Sequence, residues 1–154
     1  MIRCRSSGLV GLLAILSMQL AEADATAGPT PRKCGGLRVR DHLAFNKNST
    51  VLVRDYEDNL RAIVATAAGY YNIVVIEVRG YADYDESQPR ELSRRRAERI
   101  RLLLWRFGLA KQRTVAKAMG RSEPVCREKT ESCAEENRRV EFRLLCEYED
   151  EENG

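Results

Sequence analysis

Histidine and tryptophan occur once each in this 154-residue chain, phenylalanine three times and proline four times. With His42 as the sole imidazole, a Cys/His metal site is poorly supplied, and no motif places a Ser or Cys nucleophile beside it. No two cysteines stand as C-x-x-C, which speaks against a thioredoxin-like redox site and a zinc knuckle. Asp83, Asp85 and Glu86 lack the spacing of a calcium loop. No apolar run is long enough to span a bilayer as a helix. Charge of one sign is lacking too. The 26 basic residues stand against 23 acidic ones, a net charge of +3, and this balance disfavours a nucleic-acid binder despite the Arg-rich stretch at 94–101.

What is present suits one soluble domain with a real core: 44% hydrophobic and 32% charged residues, with no internal repeat. Arg3 and Arg5 precede the apolar stretch 8–20, and residues 21–27 offer Ala-x-Ala cleavage sites, so residues 1–25 are expected to be an export signal. No Cys follows the apolar core to carry a lipid. Residues 26–36 are expected to be a linker, 37–146 the domain and 147–154 an acidic tail. After cleavage four cysteines remain: Cys34, Cys126, Cys133 and Cys146. In an oxidising compartment they imply two disulfides, with three pairings open.

Within the domain, residues 37–45 alternate as a strand, and Asn46–Thr50 supply turn residues and a cap for a following helix. Leu52, Tyr56, Leu60, Ile63, Val64 and Ala67 recur at helical spacing up to Gly69. The β-branched run 73–78 reads as a strand buried on both faces. Pro89 opens a second helix that stops at Gly108. Residues 113–120 and 138–146 predict two further strands, separated by a long polar connection at 121–137. The order β-α-β-α-β-β predicts an α+β fold, a mixed four-stranded sheet with two helices packed on one face.

One arginine breaks the pattern. On the second helix Leu92, Ile100, Leu103, Leu104 and Phe107 share an arc, and Arg96 lies inside it. A guanidinium on a core face needs an anion. That anion is either a local carboxylate such as Asp83 or a ligand group held in a pocket above the strand end, with Asp83 facing an ammonium and Arg96 a carboxylate.

"FNKNSTVL", "IEVRGYAD", "LSRRRAERI", "GRSEPV" and "ENRRVEF" occur in an order and spacing that resembles OmpA-like peptidoglycan-binding domains, over roughly residues 37 to 146. The resemblance implies the same β-α-β-α-β-β fold. It also implies non-covalent binding of peptidoglycan through the diaminopimelate of the stem peptide, without catalysis, cofactor or metal. Carried over by motif, the ligand-binding residues would be Asp83, Arg96 and Arg138, with Asn137, Asn46 and Asn48. Tyr81 and Ala82 depart from the family's His and Thr, and the Asn before Leu-Ser is missing.

Outer-membrane protein A is similar in carrying a disulfide in the polar connection, which implies Cys126–Cys133. Cys34 and Cys146 would pair if the first and last strands lie antiparallel and adjacent. The expected location is the periplasm with association to the outer membrane, and the expected partners are peptidoglycan and an envelope protein complex. The alternative is a periplasmic protein–protein adaptor that keeps the fold without binding the wall.

Overall fold

The computed structural model describes residues 32–33, 42–69 and 73–146. In chain order they form β1 (Arg32–Lys33), β2 (Leu43–Ala44), α1 (Glu57–Gly69), β3 (Ile73–Tyr81), α2 (Pro89–Arg106), a 3-10 turn (Lys111–Arg113), β4 (Thr114–Gly120), α3 (Glu131–Asn137) and β5 (Arg139–Cys146). The expected export signal, the acidic tail and residues 37–41 of the expected first strand lie outside the described residues.

The sheet runs β1-β5-β3-β4, with β2 also pairing β5. β3 and β4 are parallel, and β5 is antiparallel to β3. β1 lies antiparallel beside Leu145–Cys146, and β2 beside Arg139–Val140. Two short strands thus share one position, and the expected mixed four-stranded sheet results. The linker expected over 26–36 contains a strand at Arg32–Lys33, because sheet pairing is made by backbone groups and needs no apolar side chain.

The residues expected to cap the first helix form a hairpin instead. The Asn46 amide donates to the Val51 carbonyl at 2.9 Å, and that of Val53 to the Ala44 carbonyl at 3.1 Å. Phe45 bridges Leu52 across the turn, and Asn48 takes the left-handed conformation (φ 49°) that Asn tolerates well. α1 begins only at Glu57, whose amide bonds the Asp55 carboxylate at 2.9 Å. Leu52 and Tyr56 match the helical spacing yet precede the helix. Both still pack on the core, which is why periodicity alone could not separate them.

α3 was not expected within the polar connection. Its cap is Thr130, whose hydroxyl accepts from the Cys133 amide at 3.3 Å. Cys133 pairs with Cys126 as the resemblance implied. Cys146 is also disulfide-bonded, but the expected partner Cys34 lies outside the described residues.

α2 packs on β3 and β4 and touches α1. It buries Leu92, Ser93, Arg96, Ala97, Ile100 and Leu104, of which Ala97, Ile100 and Leu104 share one cluster with Ile76 and Val78 of β3 and with Val140, Phe142 and Leu144 of β5. Each such aliphatic contributes about 1.5–3 kcal/mol when fully buried. The helix sits close because β3 has Gly80 beneath it: a Cβ there would stand 2.0 Å from the Ser93 carbonyl oxygen. The Ser93 hydroxyl in turn accepts from the Gly120 amide at 3.0 Å, tying α2 to the end of β4. On the other face of β3, Glu77 pairs with Lys117 and Arg79 with Glu123, beside the buried Tyr81.

Candidate ligand-binding site

β3 and β4 run parallel and end at Tyr81 and Gly120, so the segments 82–88 and 121–130 leave from the same edge of the sheet. Loops at the carboxyl ends of parallel strands are where ligands of open α/β sheets bind. The 45–52 hairpin and the junction of α3 with β5 close on the same edge. Five of the six residues expected at the site come from these segments, and the sixth, Arg96, reaches them from α2.

Arg96 is at the centre of this cluster. Its side chain is fully buried, as is that of Glu86, and the two form an ion pair at 2.6 Å. Nη1 donates to Glu86 Oε2 at 2.7 Å and to the Tyr81 carbonyl at 3.0 Å. Nη2 donates to Glu86 Oε1 at 2.6 Å and to the Asn46 carbonyl at 3.0 Å. Nε donates to the Ser49 carbonyl at 2.9 Å. A guanidinium has five N–H groups, and every one is used. The Phe45 ring lies 5.2 Å from the guanidinium carbon. The sequence offered Asp83 or a ligand as the anion; in the structure the anion is Glu86. The signal for it was available, a third carboxylate in the loop entering α2, but it was not separable from its neighbours Asp83 and Asp85.

Glu86 is held by more than Arg96. Oε1 accepts from the Asn48 amide at 2.7 Å, and Oε2 from the Asp83 amide at 3.0 Å. Its own backbone carbonyl accepts from Arg121 Nη2 at 2.7 Å, a residue absent from the expected set. Asn48 closes the hairpin onto the loop, its side-chain carbonyl accepting from the Ser87 amide at 2.9 Å.

Asp83 is buried, and its Oδ1 accepts from Asn137 Nδ2 at 3.0 Å. Asn137 is a brace: its amide also donates to the Cys126 carbonyl at 2.8 Å and accepts from the Val125 amide at 3.0 Å. The disulfide segment is thereby fixed beside Asp83. Between them opens a cavity of about 330 Å³, lined among others by Ala82, Asp83, Tyr84, Arg121, Arg127, Lys129 and Asn137.

Arg138 is nearly buried as well. Its Nε donates to the Phe45 carbonyl at 3.2 Å and its Nη2 to Glu131 at 2.7 Å, while its buried Nη1 lacks a hydrogen-bond partner. Beside it, Asp85 pairs with Lys47. The hydrogen bond from Lys47 holds the Asp85 carboxyl below the usual carboxylate range, helped by its contact with Asp83 and by the Arg138 charge. Tyr81, in the place of the family's His, points away to Glu123, to which its hydroxyl donates at 3.2 Å. Burial is the chief cause of its raised phenol pKa. Among the described residues no group of three or more His, Cys, Asp or Glu could hold a metal ion, and no helix is long and apolar enough to cross a membrane.

Strand order, crossover helix and a polar cluster above the parallel strands define the class: a small mixed α+β binding domain. The chain belongs to the OmpA family, whose model matches residues 44–138. Solved structures of similar fold include the C-terminal domain of Helicobacter pylori MotB, 22% identical with a TM-score of 0.64, covering 70% of this chain and 85% of that one. The peptidoglycan-associated lipoprotein of Burkholderia pseudomallei is 21% identical with a TM-score of 0.60, over 70% and 90% of the two chains. The OmpA-like domain of FopA1 from Francisella tularensis is 20% identical with a TM-score of 0.56, over 70% and 73%. No curated protein matches the chain.

Proposed function

We propose that this domain associates non-covalently with peptidoglycan in the periplasm, taking the diaminopimelate of a stem peptide at the cavity beside Asp83, and that it joins an envelope complex to the wall. Membership of the OmpA family and likeness to a peptidoglycan-associated lipoprotein support the ligand class. The observation that carries the reading is Asp83, a buried carboxylate on the wall of an open 330 Å³ cavity, held in place by Asn137. It is a fixed anion for an incoming ammonium. Asn46, Asn48 and Arg96 shape the loop that presents it, and Arg138 supplies the nearby positive charge. Export through the segment 1–25 belongs to the same reading, and N-terminal sequencing of exported protein should find a start between Ala23 and Thr30.

The test is a pull-down with purified sacculi. Wild type should sediment with sacculi and be released by free diaminopimelate. Asp83→Ala should stay folded by circular dichroism and remain in the supernatant. Sedimentation of Asp83→Ala at the wild-type level would remove the reading. A second reading, an adaptor that keeps the fold and binds only protein, is favoured by one observation: Arg96 already holds a carboxylate of its own chain. Failure of the wild type to sediment would support it.

A further inference from the structure

Glu86 and its partners form a receptor for a carboxylate. Its two oxygens accept four hydrogen bonds: two from Arg96, at 2.6 and 2.7 Å, and two from backbone amides, those of Asn48 at 2.7 Å and Asp83 at 3.0 Å. The donors come from three separate segments, the hairpin, the loop after β3, and α2. Neither ionic side chain has any exposure. A guanidinium fork opposed by two amides is a donor set suited to a planar carboxylate. Nothing in it requires that the carboxylate belong to residue 86.

We propose that this cluster is a carboxylate-binding site which the chain fills with its own Glu86, and that Glu86 is the residue that excludes a ligand carboxylate from Arg96. The physical basis is effective concentration. A carboxylate tethered by a short segment competes as an intramolecular ligand, at roughly millimolar or higher effective concentration, against a dilute free one. Here the tether is stiffened further: Arg121 grips the Asp83 and Glu86 carbonyls at 3.3 and 2.7 Å, and Asn48 grips Ser87. A free carboxylate would have to displace Glu86 into solvent and break all of these.

One consequence concerns ligand choice and rests on the peptidoglycan reading. With the fork occupied, a diamino acid is recognised by its ammonium at Asp83, and the carboxylate that distinguishes diaminopimelate from lysine is not read by Arg96.

The experiment is chemical rescue in the full chain. Glu86→Ala deletes one methylene and a carboxylate, the outline of acetate. The variant should lose about 10 °C or more of Tm, because a buried charge is left without its partner. Acetate should restore much of that loss in a saturable manner, compared with chloride at equal ionic strength. Wild type and Glu86→Gln, whose sites are filled, should show no such response. A folded Glu86→Ala that treats acetate and chloride alike would overturn the proposal, as would one that stays unfolded in acetate. Competition for sacculi then separates the two readings: Glu86→Ala should gain a preference for diaminopimelate over lysine of about tenfold, the worth of a charge-assisted hydrogen bond. Acetate rescue without that gain would keep the receptor and count against peptidoglycan as the ligand.

Discussion

At the scale of single residues, Arg96 illustrates how a costly group becomes a keystone. Its fully buried charge is tolerated because Glu86 and three backbone carbonyls take all five of its N–H groups. Removing one partner of a buried pair costs about 3–5 kcal/mol, so Arg96→Ala should lower Tm markedly in a thermal melt, whatever it does to binding. Arg96→Lys should fall almost as far, since an ammonium has no fork and fewer donors. Replacing both partners, as Arg96→Met with Glu86→Leu, should recover only part of the loss. The carbonyls of Asn46, Ser49 and Tyr81 and the amides of Asn48 and Asp83 would each lose a hydrogen bond. Asp85 offers a separate measurement. Its folded pKa lies below the ordinary 3.8 because Lys47 donates to it. The stabilisation is therefore present above that ordinary value and is lost as pH falls through the lower folded one. Lys47→Met should raise the Asp85 titration midpoint in a carboxyl-carbon NMR titration; an unchanged midpoint would show that the pair does not form in solution.

At the scale of elements, the contact between α2 and β3 depends on the absence of a side chain. Gly80 lies under Ser93, and a Cβ would come within 2.0 Å of a backbone oxygen that cannot rotate away. Gly80→Ala should therefore push the helix off the strand at its N-terminal end. The expected result is a lower Tm of the overpacking kind, about 1–3 kcal/mol or more, together with loss of amide protection at Gly120, which bonds the Ser93 hydroxyl. Wild-type protection there would disprove the coupling. The apolar faces of α2 and β5 were legible from spacing, because burial against a single layer imposes a strict period. β3 was legible only as a continuous β-branched run, which marks a strand without marking one face. The 45–52 hairpin was not legible. Its turn residues also suit a helix cap, and only pairing with distant Arg139–Val140 draws Leu43–Ala44 and then Leu52 into the sheet.

At the scale of the whole molecule, the site is assembled from four segments by two braces. Asn137 joins Asp83 to the disulfide segment, and Glu86 joins the hairpin to α2. Reducing Cys126–Cys133 should leave the sheet intact, since neither cysteine lies in a strand. It should loosen the wall of the cavity. We expect far-ultraviolet circular dichroism to be nearly unchanged by Cys126→Ser with Cys133→Ser, and sacculus binding to fall. Binding equal to wild type would mean that the segment takes no part in holding the ligand.

By itself the sequence determined the order of the main elements, the core faces, the position of Arg96 on a buried arc and the loop that carries Asp83. These follow from local periodicity and from glycine and proline at element ends, which act within a few residues of the chain. Tertiary structure alone decided which carboxylate Arg96 meets. Asp83, Asp85 and Glu86 are near neighbours in one loop and equal in charge, but their side chains leave the backbone in different directions. One faces the disulfide segment, one faces Lys47 and one faces the guanidinium. That choice depends on how the hairpin and α3 close over the strand ends, contacts between residues 39 to 54 positions apart in the chain, where local pattern carries no information.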